Sequence, residues 1–197
     1  MTSKFKLLDL IQQKNIIVIS GPSGVGKDTL MHVLAQKYPD KIHIAITATT
    51  RKPRSNEINK IHHYFYNINE FNKLISNNEL IEWAKVYDNY YGVPKLEIEN
   101  NILKGKKVLI RVDIQGAKRL KSLIPSSLFI FIAPESKKDL KNRLLLRHEN
   151  SIKDINQRLF EADSEITEAD WFDFTVVNYS DQIDRSVLEL SDMIGLI

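Results

Sequence analysis

Ile16-Ile17-Val18-Ile19-Ser20-Gly21-Pro22-Ser23-Gly24-Val25-Gly26-Lys27-Asp28-Thr29-Leu30 decides how this chain is read. An apolar run leads into three closely spaced glycines and a lysine, and Leu30, Val33 and Leu34 then recur at helical spacing. The pattern predicts a strand, a tight turn and a helix. Gly21 to Lys27 fits G-x-x-x-x-G-K in the setting that motif requires. Glycines let backbone N–H groups face inward around a polyphosphate, and the helix N-terminus adds the positive end of its dipole. Lys27 reaches the outer phosphates, so Gly21, Pro22, Ser23, Gly24, Val25, Gly26, Lys27, Asp28 and Thr29 form the candidate loop. A glycine-rich turn with a purely structural purpose is the alternative, but it leaves the lysine unexplained. Asp28 occupies the position that normally offers magnesium a Ser or Thr hydroxyl. A carboxylate is a better ligand for a hard cation, but it also brings negative charge near the phosphates.

Outward from the loop, apolar runs at 42–46, 108–112, 128–132 and 174–177 alternate with helical patterns at 95–103, 114–123, 137–147 and 152–169. This alternation predicts an α/β fold with a parallel central sheet and helices on both faces. Residues 47–91 break the rhythm with two arginines, adjacent histidines and short strand-like pieces near Tyr64-Phe65 and Leu80–Val86, so a small α+β insert is expected. The polar stretch His148–Ile152, between two Arg-bearing helices, has the character of a mobile lid. Residues 1–14 are amphipathic without a signal peptide's continuous apolar core, and predict a short surface helix. No internal repeat or low-complexity linker interrupts the chain.

The 197 residues include no Cys, are 43% hydrophobic and 27% charged, and contain only 7 Gly and 6 Pro. This composition excludes disordered and fibrous classes. It also excludes disulfides, Cys-ligated metals and thiol nucleophiles, and fits a cytoplasmic setting. The longest apolar runs are strand-sized, well short of the roughly 20 residues of a membrane span. A net charge of +3 gives no argument for nucleic acid. The charge is uneven, with seven basic residues against Asp113 in 104–121 and ten acidic residues against Arg185 in 161–192. These segments are either solvated faces or a field that draws in a phosphorylated small molecule.

Arg51 and Arg54, three apart around Pro53, can grip a phosphate dianion with guanidinium forks, or can be a solvated basic turn. Glu82, within Ile81-Glu-Trp-Ala84, needs paired donors if it faces inward; the alternative is a solvent-facing carboxylate. Arg143, Arg147 and Arg158 flank the expected lid. Phosphoryl transfer calls for positive charge and exclusion of water, which mobile arginines supply; solvated helix arginines are the other reading.

From about Asn15 to Leu190 the chain resembles the guanylate kinases, P-loop nucleoside monophosphate kinases with a three-layer fold. The matching pieces are the loop, Thr49-Thr-Arg-Lys-Pro-Arg-Ser-Asn-Glu57, Phe71 with Leu80-Ile-Glu-Trp-Ala84, Asn89-Tyr-Tyr-Gly92, Val112-Asp-Ile-Gln-Gly116, the three arginines and Val176-Val-Asn178. The resemblance implies one domain, with a core at about 15–46 and 94–190, a GMP-binding insert at about 47–93 and a lid at about 143–158. It implies ATP-dependent phosphorylation of GMP and dGMP with magnesium, with small nucleotides as partners and no nucleic acid or membrane. ATP would lie on the loop and against Asn178. GMP would be held by Thr47, Arg51, Arg54, Glu57, His63, Glu82, Tyr91 and Asp113, with Glu82 and Asp113 accepting from guanine N1–H and the 2-amino group. Lys27, Arg51, Arg143, Arg147 and Arg158 would serve catalysis. The oligomeric state is left open.

Four positions depart from the family pattern. His63 aligns with a phosphate-binding tyrosine, and Tyr64 next door is a substitute only if the strand face permits. Val93 stands where a Ser or Thr hydroxyl would donate to guanine O6, while Thr47 replaces a serine and can keep a second contact. Arg111 replaces an acidic residue that helps arrange magnesium, and Asp28 replaces the loop hydroxyl. The expectation is that Asp28 takes over metal binding or pairs with Arg111. The Lys-Asp dipeptide also resembles ribose 1,5-bisphosphate kinases, which are relatives of the guanylate kinases. A catalytically weak binding module, like the guanylate-kinase-like domains of scaffolding proteins, is the alternative from another class.

Overall fold

The computed structural model describes residues 14–55, 57–86, 88–146 and 152–197, with backbone alone for 152–154. The expected helix at 1–14 lies almost wholly outside these residues, as do Arg147 and most of the His148–Ile152 segment. The apolar run before the loop forms β1 (Ile16–Ser20), and α1 (Lys27–Lys37) follows the glycine turn. The central sheet adds β2 (Ile42–Ile44), β7 (Lys107–Arg111), β8 (Leu128–Pro134) and β9 (Phe174–Asn178). Its strand order is β2-β7-β1-β8-β9, and every pairing is parallel.

Because alternate residues of a strand face opposite sides, β1 feeds two cores at once. Ile17 and Ile19 pack with Leu30, Met31 and Leu34 of α1, and with Val187 and Leu190 of α7 (Ile183–Met193). Ile16 and Val18 pack with Ile98 and Ile102 of α3 (Lys95–Ile102), and with Ala117 and Leu120 of α4 (Ile114–Leu123). Helices on both faces leave the carboxyl ends of β1 and β7 open at one edge, where a parallel sheet binds ligands.

The segment that breaks the alternation folds as a second sheet. β3 (Thr47–Thr49), β4 (His63–Phe65), β5 (Leu80–Val86) and β6 (Asn89–Pro94) lie in the order β4-β3-β6-β5, with α2 (Ile68–Ser76) packed on them through Phe71. Asn67 caps α2 in a reciprocal capping box with Glu70, a local signal that fixes the helix start. The strand expected over 42–46 stops at Ile44, because Thr47 already belongs to β3. The helix expected over 137–147 is α5 (Lys137–Leu145). The one expected over 152–169 is α6 (Ile152–Thr167), followed by a 3-10 turn at Ala169–Trp171.

Candidate active site

The glycine turn sets the loop's shape. At Gly21, φ is 140° and a Cβ would come within 2.2 Å of the Ile132 carbonyl oxygen. At Gly26, φ is 95° and a Cβ would come within 2.4 Å of the Asn178 amide nitrogen. Both positions require glycine on conformational and steric grounds. Lys27 curls over the loop, and its ammonium donates to the carbonyls of Gly21 (2.5 Å) and Pro22 (3.0 Å).

The loop is braced from behind. Asn178 is buried and donates to the Val25 carbonyl at 2.7 Å. Arg143 donates to the same carbonyl at 2.7 Å and to Asn178 O at 2.8 Å, and pairs with Asp139 at 2.9 Å. The sequence places Arg143 among the lid cations, whereas the structure ties it down on three sides behind the loop. Arg158, on α6, does reach the loop and donates to the Ser23 hydroxyl at 3.0 Å.

A cleft of about 620 Å³ joins the loop to the second sheet. Gly21, Ser23, Gly24, Gly26, Lys27 and Asp28 line one end, and Arg51, Arg54, Glu57, His63 and Tyr91 line the other. Thr47, Glu82, Val93, Arg111 and Asp113 stand between them. Thr29, counted with the candidate loop, is exposed on the first turn of α1 and does not line the cleft.

At the far end, Arg51 makes a two-pronged pair with Glu57, both bonds 2.8 Å. That bond pulls the Glu57 carboxyl down to about 2, and Arg51 is raised in turn. Glu57 also accepts from the Arg54 backbone N–H at 2.8 Å, and Arg51's own amide donates to Thr49 Oγ1 at 3.1 Å. Glu57, expected to touch GMP, therefore orients the Arg51 fork.

His63 bonds Thr47 Oγ1 through Nδ1 at 2.8 Å. Burial, then the positive charges of Arg111 and Arg51, pull the imidazole down to about 4, so it is neutral at neutral pH. Tyr64 is not a substitute for the missing tyrosine. Its hydroxyl donates to Glu97 at 2.9 Å on the opposite face of the strand, as alternation dictates.

Glu82 is 6% exposed and pairs with Arg119 at 2.6 Å. Burial raises this carboxyl and the Arg119 bond partly offsets the rise. Asp113 caps α4, and its Oδ1 accepts from the Gly116 N–H at 2.6 Å. Asp113 also lines the cleft.

Sequence reasoning missed Arg119 and Glu165, which both line the cleft. Asp113, Gly116 and Arg119 recur every three residues, and Glu165 is seven beyond Arg158; both are helix-face spacings that carried the signal. Burial pushes the Glu165 carboxyl up to about 7, against the pull of Lys27 and with the repulsion of Asp113 and Glu161. Arg111 and Asp28, the two charged departures, form an ion pair across the ends of β7 and α1.

A phosphate loop facing a basic acceptor pocket across one cleft defines a P-loop phosphotransferase. The guanylate kinase family model matches residues 13–196. A guanylate kinase of Caldanaerobacter subterraneus is 38% identical over 95% of this chain and 89% of its own. That of Bacillus subtilis is 39% identical over 83% and 80%. The solved guanylate kinase of Anaplasma phagocytophilum superposes with a TM-score of 0.70 at 31% identity, covering 92% of this chain and 84% of its own. The chain belongs to the guanylate kinase family.

Proposed function

We propose the following division of labour in the cleft, whose reaction is transfer of the γ-phosphoryl group of ATP to GMP, giving ADP and GDP. The observation that carries it is that the loop, the arginine pair and the buried Glu82 share one cavity. ATP phosphates lie on the amides of Gly21 to Lys27, and Lys27 exchanges its two carbonyl partners for phosphate oxygens. Asn178 and Arg143 hold the loop in shape for them. The acceptor phosphate meets Arg51, Arg54 and Tyr91, with neutral His63 as a single hydrogen-bond donor or acceptor. Guanine's two neighbouring donors meet the carboxylates of Glu82 and Asp113. Arg119 favours the ionised form of Glu82 against the pull of burial, and donor recognition requires that form.

No covalent intermediate is needed: in-line transfer depends on positioning and on charge stabilisation. Arg158 approaches from α6 and brings positive charge over the transferring group; Arg147 and most of the lid expected at about 143–158 lie outside the described residues. The core at about 15–46 and 94–190 and the insert at about 47–93 make one domain. dGMP is a second acceptor, as the family resemblance implies.

Magnesium is held by few protein ligands, commonly one or two carboxylates plus phosphate oxygens and water. Among the described residues there is no cluster of three or more His, Asp or Glu suited to a metal. Asp28, on the cleft wall, fits as the single carboxylate once it parts from Arg111. The ion would supply charge neutralisation on the β- and γ-phosphates. No helix among the described residues is long and apolar enough to cross a membrane. The cysteine-free composition fits a cytoplasmic enzyme. Among the described residues, nothing in the cleft favours a sugar bisphosphate acceptor or a non-catalytic binding module.

The test is ADP release from ATP with magnesium, offering GMP, dGMP, IMP, AMP, CMP, UMP and ribose 1,5-bisphosphate as separate acceptors. GMP should be preferred, with turnover on the order of 1–100 per second. Turnover with the sugar bisphosphate alone would overturn the reading.

A further inference from the structure

The family resemblance puts a hydroxyl at position 28 and a carboxylate at 111; this chain puts a carboxylate at 28 and a guanidinium at 111. The pair of sites therefore carries one more positive charge than the family pattern. Parallel pairing of β1 with β7 sets Arg111 beside Ile19, one residue before the end of β1 and two before the loop. From there its side chain projects into the cleft, and its Nη1 donates to Asp28 Oδ1 on the first turn of α1. The same charge reaches the acceptor end, where Arg111 is the largest charged contribution to keeping His63 unprotonated. Arg111 thus stands between the loop that holds the donor and the pocket that holds the acceptor.

We propose that Arg111 is a further catalytic residue of this enzyme, a cation that leaves Asp28 to bind the phosphate oxygens between donor and acceptor, with Asp28 as its resting partner. This rests on the GMP kinase reading above. The ion pair is partly open to water, with side chains 31% and 53% exposed, so the partnership is weak enough to be exchanged. A phosphate oxygen offers the guanidinium a more highly charged acceptor in a more enclosed place. The exchange costs little, because one charge-assisted hydrogen bond replaces another and the freed Asp28, 53% exposed, is open to water or to a cation.

Two substitutions separate this from a structural ion pair. Arg111→Met removes the charge and keeps the stem; Asp28→Asn removes the competing carboxylate and leaves Arg111 in place. The readouts are calorimetric affinity for inorganic tripolyphosphate and ADP with EDTA present, melting temperature, and kcat with GMP. Without metal, Arg111→Met should weaken both anions about tenfold, and Asp28→Asn should tighten them about threefold. The kcat of Arg111→Met should fall about tenfold or more while its melting point stays within a few degrees of wild type. Opposite signs in affinity together with a kcat loss in Arg111→Met at a nearly unchanged melting point are the signature, since a merely structural pair lowers the melting point of both variants and moves their kcat the same way. Unchanged anion affinity and kcat in Arg111→Met, or parallel losses of affinity in both variants, overturn the proposal. Wild-type protein that binds tripolyphosphate but does not phosphorylate GMP overturns the underlying kinase reading instead.

Discussion

Glu165→Gln should stabilise the protein, and only above mildly acidic pH. Glu165 lies on α6, where it lines the cleft with Lys27 and Asp113, and its carboxyl moves from 4.5 to about 7. Burial is the main cause, Asp113 and Glu161 add to it, and Lys27 opposes it. A displacement of that size corresponds to ~3 kcal/mol at 1.36 kcal/mol per pH unit. The side chain is only partly buried, so screening leaves about 1.5 kcal/mol. The folded-state pKa lies above the unfolded one, so wild-type stability from this group is fully present below pH 4.5 and declines as the pH rises to about 7. The amide has the same shape and does not titrate. Melting curves of wild type and variant should therefore meet near the acid end and separate with rising pH. At pH 8 the variant should melt roughly 3–6 °C higher, from the 2–4 °C per kcal/mol of a domain this size. Differential scanning calorimetry at pH 4.5, 6, 7 and 8 measures it. An offset independent of pH, or a gain confined to acid, would refute the assignment of this carboxyl as the strained one.

Arg119→Met leaves the buried Glu82 carboxylate without its cation, so Glu82 protonates more readily; KM for GMP should rise about 5–30-fold, with kcat much less affected. Steady-state kinetics with GMP, IMP and AMP should show weakened preference for GMP, and retention of wild-type selectivity counts against Glu82 as the guanine acceptor. Val93→Thr restores a hydroxyl at a buried position facing the cleft and should lower KM for GMP about 2–10-fold relative to AMP, read from competing-acceptor turnover. Glu57→Gln breaks the fork on Arg51, so acceptor KM should rise and about 1 kcal/mol of stability should be lost at neutral pH. Because Glu57 is lowered to about 2, the wild type keeps that stability above pH 4.5 and loses it as the pH falls toward 2, so acid-unfolding curves of the two proteins should converge there.

The parallel sheet and the phosphate loop were legible in the sequence because their causes are local. Glycine at positive φ, an apolar run of strand length and a 3.6-residue period need no distant partner to be recognised. The insert could be placed but not drawn, because its sheet mixes one parallel pairing with two antiparallel ones and its order β4-β3-β6-β5 depends on long-range pairing. The same distinction separates the site residues. Arg51 and Glu57 are six apart and could be read together. Arg119 meets Glu82 across 37 residues, and Arg143 meets Val25 across 118, so their roles as charge partner and loop brace emerge only from packing.

Asp28 and Arg111 show the limit most clearly. Judged singly in the sequence, each damages a phosphate site: one adds negative charge beside anions, the other removes a carboxylate that serves magnesium. They lie 83 residues apart, yet the pairing of β1 with β7 makes them neighbours and each neutralises the other. Two apparent defects thus become one exchangeable contact between carboxylate and guanidinium. A reversion at either position alone leaves the other charge without its partner. Arg111→Asp in the presence of Asp28 sets two carboxylates beside the phosphates and should therefore disturb catalysis more than the double change Asp28→Ser with Arg111→Asp, which restores the family's own distribution of charge. Additive losses in that double variant, measured as kcat/KM for GMP across the four-member cycle, would show that the two sites act independently.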